Sequence, residues 1–424
     1  MKTRPNLRAA GAALAVAAAF AAGSSAAQES TVTFLGANAP GWYEAVIAAF
    51  EAKHPDIAIE YQQVPFEDLN AAIESRIGQG DSSIDIFESD TPRVPAAAAR
   101  GYLASLEDRR AAIEAAVPNP VDIAQVTHEG TIYSYPMWSS TQLLYYNRDL
   151  LAAAGVEAPG GASEDRLTWS GLLDKARAAQ AAGAAWGVLF QQVDRYYQLQ
   201  PLFESAGAGP GLTGEDMLEP AVNTPGWIEV AQWYGDLYKT GLSPRGIAPN
   251  QTDALFTNGE AAFLIGGPWV LGRYMGTEGL DFGVAPMPYF EGGEKVTPTG
   301  AWALGINPSG DDKAAAMTFA EFVTLDAEGA YLSISAAPFP PTNAEARERY
   351  IADLSKLAGE IGPVHEIIQH EIEETAVGRP RTIGYVAFET IMNRAFSDIR
   401  NGADVAETLA GAGRQIERAM SRLQ

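Results

Sequence analysis

Between Thr31 and Phe87 the spacing of apolar residues switches repeatedly between two periods, and that alternation leaves few folds open. Thr31–Leu35 is a β-rich run that breaks at Gly36. Gly41–Lys53 has helical spacing, with Trp42, Val46, Ile47 and Phe50 on one face, and His54-Pro55 stops it. Ile57–Val64 alternates as a strand, Phe66–Ile77 is helical, Gly78–Ser83 is a turn and Ile84–Phe87 is a short strand. Strand, helix, strand, helix, strand predicts parallel pairing with helices on the faces of the sheet, an α/β lobe.

Open α/β sheets bind ligands beyond the carboxyl ends of their strands. Three polar residues fall there: Asn38 after the first strand, Gln63 near the end of the second and Asp90 after the third. Each also suits a turn or a surface, and Asp90 suits a helix N-cap.

A second constraint lies between Leu255 and Trp302. Trp269 follows Gly266-Gly267-Pro268, and Trp302 follows Gly300-Ala301. A large aromatic face beside small residues makes a flat apolar wall. One such tryptophan reads as core; two, both on punctuated turns after short apolar runs, point to the walls of a pocket.

The 424 residues suggest two or three domains at roughly 100–200 residues each. Lys2, Arg4 and Arg8, the apolar run Ala9–Ala22 and the small residues Ser25-Ala26-Ala27 read as an export signal over residues 1–27, with a mature start near Gln28. That apolar run is shorter than the roughly 20 residues of a membrane span. The sequence has no Cys, which excludes disulfides, thiolate metal sites and a Cys nucleophile. A formal net charge of −24 argues against nucleic acid and anionic membranes as partners.

Further along, Thr131–Pro136 is a β-rich run halted by proline, and Leu143–Leu151 follows it. Tyr145 and Tyr146 face opposite sides of a strand there, so at least one belongs to a core. Thr168 caps a helix to Ala182, and Asn223-Thr224-Pro225 starts another. Gly207–Gly214 holds several glycines with no strand directly before and no helix directly after, so it reads as a loop and not as a phosphate cradle. Helices fill the tail from about Ala344 onward.

Taken together these pieces resemble the sugar-binding extracellular solute-binding proteins of ABC importers, the family of maltose- and trehalose/maltose-binding proteins. Phe256, Gly259, Ala261, Ala262, Gly267, Pro268 and Trp269 match that family's F-x-x-G-x-A-A run up to G-P-W, and Gly300, Trp302, Leu304 and Ile306 match its G-x-W-x-L-x-I. Ile84–Asp90 matches the segment whose final Asp accepts hydrogen bonds from sugar hydroxyls. Leu143–Leu151 matches L-L-Y-Y-N-x-x-L-L, although Ser139-Ser140-Thr141 stands where the family often has a sugar-binding Asp or Asn. Arg379 and Tyr385 match R-P-x-x-P-x-Y, with Ile383 replacing a proline.

The resemblance implies an α/β, two-lobed periplasmic binding protein fold of type II, with three interlobe crossovers near Tyr135–Ser140, Val284–Pro288 and Pro338–Thr342. Residues 28–135 and 289–338 would form the first lobe, and 136–288 and 339–424 the second. It implies a carbohydrate ligand, an α-linked disaccharide or glycoside, stacked on Trp269 and Trp302 and bonded by Asp90 and Arg379. Asn38, Gln63, Ser140, Gly300 and Tyr385 complete the expected ligand set. The implied partners are the permease subunits of the transporter, and the implied state is a periplasmic monomer without cofactor or membrane insertion. The alternative is a modified or anionic sugar, such as a sulfo- or phospho-sugar glycoside.

Enzyme signatures are incomplete in this sequence. His365 and His370 nearly spell a zinc-binding helix, but residues five apart point about 140° apart and cannot share one metal. No G-x-S-x-G or Walker loop is present, and the G-x-G-x-x-G at Gly209–Gly214 lies in the loop already read as no phosphate cradle. A secreted glycoside hydrolase, using a carboxylate pair, is the enzyme alternative.

Overall fold

The structure, a computed structural model, describes residues 30–336 and 338–423. The export signal read at residues 1–27 lies outside them. The strands that build the frame are β1 (Ser30–Gly36), β2 (Ile57–Gln63), β3 (Ile86–Asp90), β4 (Ser134–Trp138), β5 (Leu143–Asn147), β6 (Trp186–Phe190), β7 (Ala261–Gly266), β8 (Phe282–Pro286), β9 (Thr297–Thr299), β10 (Trp302–Ile306) and β11 (Ala376–Gly378). The helices that position the site are α1 (Glu44–Lys53), α2 (Leu69–Arg76), α3 (Trp169–Ala181), α4 (Tyr196–Ser205), α5 (Pro225–Lys239), α6 (Lys313–Thr324), α7 (Tyr385–Arg400) and α8 (Val405–Met420).

Two sheets organise two lobes. The first runs β2-β1-β3-β10-β4. Its β1, β2 and β3 are parallel, as the alternation of periods predicts, and β10 enters antiparallel between β3 and β4. The buried faces carry Val32, Phe34, Ile86 and Leu304, covered by α1 and α6. The second sheet runs β8-β5-β7-β6, with β7 parallel to β6 and antiparallel to β5. Its core takes in Leu144, Val188, Phe263 and Ile265 with Phe388 and Phe396 of α7. Both tyrosines of β5 are buried, Tyr145 in one core cluster and Tyr146 in the other.

Local chemistry sets the element ends. Thr168 Oγ1 accepts the Gly171 amide at 3.2 Å and starts α3, and Thr224 does the same for the Trp227 amide at α5, where Pro225 occupies the first turn. The third strand differs from expectation. It begins at Ile86 and continues through Glu88, Ser89 and Asp90, all buried. Glu88 and Asp90 survive in a central strand because their side chains find donors in the loop after β1 and across the lobe interface, described below.

The connections correct two expected boundaries. The change of lobe expected at 135/136 falls inside β4, and the chain leaves the first sheet only after Trp138. The second crossover, expected at Val284–Pro288, lies at Gly300-Ala301. Residues 289–299 stay with the second lobe: the Trp169 amide donates to the Tyr289 carbonyl at 2.8 Å, the Glu294 amide to the Ser205 carbonyl at 2.9 Å, and β9 pairs in parallel with β11. That short ladder is anchored by Glu371, fully buried, which accepts hydrogen bonds from Thr297 and Thr375 and pairs with the equally buried Arg166. The third connector, Pro338–Thr342, runs beside the first, with the Ser139 amide on the Pro340 carbonyl at 2.8 Å and the Thr342 amide on the Met137 carbonyl at 3.1 Å.

Candidate functional site between the sheet ends

Strand register gathers the expected residues. In the first sheet Trp302 pairs with Asp90 on one side and Trp138 on the other, so the three stand in one row at the carboxyl end of β3. The register shifts between Trp302 and Ala303, a bulge that changes the local twist beside the site. In the ancillary ladder Thr299 pairs with Gly378, which makes Gly300 and Arg379 the next residue on each strand. A segment far down the sequence is thereby brought against the row that holds Asp90.

Arg379 Nη1 donates to Asp90 Oδ2 at 2.9 Å and Nη2 donates to Oδ1, a two-pronged pair. Glu389 and Arg93 extend it. Arg93 Nε lies 3.6 Å from Asp90 and its Nη2 bonds Glu389, while Arg379 Nη1 lies 3.7 Å from Glu389. Two guanidiniums and two carboxylates thus balance. Burial works against the Arg379 charge, but Asp90, Tyr385 and Glu389 outweigh it and hold the group above its ordinary range. Tyr385 is fully buried, donates to Glu389 Oε1 at 2.8 Å and accepts from Arg379 Nη1 at 3.4 Å, so it braces Arg379.

Ser140 is also engaged within the protein. Its Oγ donates to the Gly300 carbonyl at 2.7 Å and accepts the Gly300 amide at 3.0 Å, and it lies 2.9 Å from the Tyr197 hydroxyl. It therefore ties the first crossover to the second. A Cβ on Gly300 would meet Ser140 Oγ and the Tyr197 ring at 2.8 Å, which is why this position is glycine. Tyr197 stands under the Arg379 guanidinium, 5.1 Å from ring centre to Cζ. Burial pushes its phenol up to about 12, against the Ser140 bond and the Arg379 charge.

Tyr197 leads to Trp269, with ring centres 6.4 Å apart. Trp269 folds back over its own chain: a Cβ on Gly267 would lie 1.9 Å from the indole. Its Nε1 donates to Gln191 Oε1 at 3.3 Å and its face stacks on Phe339 at 5.7 Å. Phe339 in turn stacks on Trp138 at 5.0 Å and contacts Trp42 at 5.7 Å. Trp302, partly buried, packs on Phe66 at 5.7 Å, and Arg195 lies over the other ring at 5.0 Å. Trp269 and Trp302 thus sit at the ends of different sheets.

Asn38 follows β1 and donates to Glu88 Oε1 at 2.7 Å. Glu88 also accepts the Ala37 amide at 2.8 Å and the Tyr43 hydroxyl. Burial raises this carboxyl above its usual range, and those three donors only partly offset it. Gln63 is set apart. It is exposed at the end of the edge strand, two strand spacings or about 10 Å from β3.

Sequence reasoning missed Tyr197, Glu389, Glu88, Trp138 and Phe339. For Phe339 a signal existed, a phenylalanine between prolines in a connector that cannot be core helix; the others carry no local pattern.

Comparison with known proteins agrees with this frame. Residues 36–330 match the model of the bacterial extracellular solute-binding protein family. The sn-glycerol-3-phosphate-binding periplasmic protein of Brucella melitensis is 26% identical over 291 residues, 66% of this chain and 65% of that protein. This chain therefore spans slightly less than two thirds of that relative's length. The maltodextrin-binding protein of Bacillus subtilis is 29% identical over 183 residues, 42% of each chain. An ABC substrate-binding protein of Listeria monocytogenes, solved with cycloalternan, superposes with a TM-score of 0.81 at 22% identity, over 93% of this chain and 99% of that one. On its sequence match and its two-lobed fold, the chain belongs to the bacterial extracellular solute-binding protein family.

Proposed function

We propose that this protein is the ligand-capturing component of an ABC importer, that it binds a carbohydrate between its lobes, and that the ligand is an α-linked disaccharide or glycoside. The observation that carries the reading is the meeting of aromatic faces and a two-pronged Asp90–Arg379 pair where the carboxyl ends of both sheets converge. Sugar rings have apolar C–H faces and a rim of hydroxyls. Trp269 and Trp302 offer rigid flat area to the faces. Asp90 accepts and Arg379 donates at the rim, and both can bond a ring hydroxyl while still bonding each other.

Closure follows from the connectors at 139–142, 300–301 and 338–342. Ligand touching both lobes favours the closed arrangement by its differential affinity for it. The closed form then docks on the permease. In this reading the protein is a monomer of the periplasm, needs no cofactor and catalyses nothing. Among the described residues no helix is long and apolar enough to cross a membrane.

An anionic ligand is the second reading, favoured by the glycerol phosphate-binding relative. The balanced quartet of Asp90, Arg93, Arg379 and Glu389 weighs against it, because neither guanidinium there is left uncompensated for a phosphate or sulfate. Thermal-shift measurements with maltose, trehalose and sn-glycerol 3-phosphate separate the two. Stabilisation by a disaccharide supports the first reading, and stabilisation by the phosphate ester alone supports the second. Incubation with the same disaccharides should release no monosaccharide, and release would mark a hydrolase.

A further inference from the structure

Behind the connectors lies a cavity of about 540 Å³, within the range of about 300–1,000 Å³ that small-molecule sites occupy. The connectors divide it from the cleft. In extended chain, successive side chains point to opposite sides. Phe339 turns to the cleft, stacked on Trp138 and Trp269, while Pro340 and Thr342 turn to the cavity. Ser140 likewise bonds Gly300 and meets Tyr197 on the cleft side, whereas Ser139 donates to the buried Asp122 Oδ1 at 2.8 Å on the other. Arg347, in the cavity wall, reaches the same carboxylate: its Nη2 donates to Asp122 Oδ2 at 3.0 Å and its Nε to the Pro341 carbonyl at 2.8 Å. Asp122 and Arg347 thus lash the first and third connectors together beside the cavity.

Both lobes wall it. Pro118 and Asn119 come from the first, and Gln369, Ile372 and Glu373 from the second. Helix Ala344–Ser355, which follows the third connector, presents Glu348, Ile351, Ala352 and Ser355 to it at helical spacing. On the second-lobe side, helix Val364–His370 runs directly into a π-helical turn, Glu371–Thr375, a local form frequent at functional sites. That turn buries Glu371 against Arg166 and leaves Ile372 and Glu373 on the cavity. Ile351, Ile372 and Pro340 make the lining apolar. Arg347 is neutralised by Asp122. Glu348 and Glu373, both exposed, have no basic partner among the described residues, and Glu373 accepts only Gln369 Nε2 at 3.2 Å. Two uncompensated carboxylates over an apolar lining complement a cation that carries an apolar body.

We propose that this cavity binds a small amphipathic organic amine, and that this ligand and the one in the cleft strengthen each other's binding. The connectors are the fulcrum: drawing the lobes together over the cleft parts them behind it. Asp90 and Arg379 already meet across the lobes here, and the cavity stands open. An amine held between the two walls therefore favours the closed cleft, and by linkage the coupling runs equally both ways. The amine site stands on its own lining, while its coupling rests on the reading of capture between the lobes.

Calorimetric titration of tryptamine into the protein, with and without saturating maltose, tests it, alongside indole-3-acetate and the double variant Glu348→Gln, Glu373→Gln. Tryptamine should bind and indole-3-acetate should not. Saturating tryptamine should raise maltose affinity roughly fivefold or more, and saturating maltose should raise tryptamine affinity by the same factor. The double variant, altered only at exposed positions, should keep its melting temperature and its maltose affinity and lose tenfold or more in tryptamine affinity. No tryptamine binding, equal binding of indole-3-acetate, competition with maltose, or binding that survives in the variant overturns the site. Tryptamine binding with maltose affinity unchanged overturns the coupling. Failure of maltose to bind overturns the carbohydrate reading instead, and the tryptamine titration of the natural protein and the variant still decides the site.

Discussion

Arg379 grips both carboxylate oxygens of Asp90 although 289 positions separate them in the chain, and the pair spans the two lobes. It can serve the ligand and hold the closed arrangement at once. Removing one partner leaves the other with only a longer contact, Asp90 with Arg93 at 3.6 Å or Arg379 with Glu389 at 3.7 Å, so the cost is at most the about 3–5 kcal/mol of a fully broken buried pair. Arg379→Ala and Asp90→Ala should therefore lower the melting temperature as well as abolish measurable sugar binding. Arg379→Lys keeps the charge but loses the fork, so it should fold better than Arg379→Ala and still bind weakly. Paired calorimetry and melting curves check both; a Lys variant with full affinity would show that the fork is not used.

Gly300 tests the crossover. Its missing side chain leaves room for Ser140 Oγ and Tyr197, both 2.8 Å from where a Cβ would stand. Gly300→Ala must push the second crossover away from the first and tilt Tyr197 from under Arg379. The expected cost is about 1–3 kcal/mol of stability, as for overpacked cores, together with weaker binding. Chemical denaturation reads the first and calorimetry the second. Ser140→Ala, which removes the obstacle, should recover part of the stability in the double variant.

Glu88 predicts a pH dependence. Burial raises its carboxyl in the folded protein, against the Ala37, Tyr43 and Asn38 bonds. The folded state therefore holds a proton where the unfolded state has lost it. Between the folded value and the ordinary value of about 4.3, this group adds stability as pH falls and subtracts it as pH rises. Below the ordinary value both states are protonated and the contribution levels off. Glu88→Gln carries no such charge. Its stability advantage over the natural protein should be largest at neutral pH and shrink toward acid, and an advantage constant with pH would contradict the assignment.

The first lobe was legible because three parallel strands and two helices carry clean periods. Trp269 and Trp302 stood out for a different reason: small residues beside a large ring are unusual enough to notice, and both sit at a sheet end. The second crossover was not. β9 and β11 are three residues each, too short for a period, and what holds them is the buried Glu371–Arg166 pair between distant segments. Glu88 was unreadable too, since a glutamate in a central strand makes sense only once Ala37, Asn38 and Tyr43 are seen donating to it. Tyr385 was found by resemblance, but its burial against Arg379 and Glu389 was not legible, because a motif names residues without saying which of them touch.

The most direct test of capture between the lobes is calorimetric titration of maltose into the natural protein, Trp269→Ala and Trp302→Ala, with the unligated melting temperature of each. Both rings are partly buried and sit at the ends of different sheets. The expected result is that each truncation weakens binding by about 1–3 kcal/mol, one to two decades in affinity, while the melting temperature changes little. Affinity retained in the folded fraction, alongside a stability loss of about 3–5 kcal/mol as for core tryptophans, would contradict the account and place the ligand elsewhere.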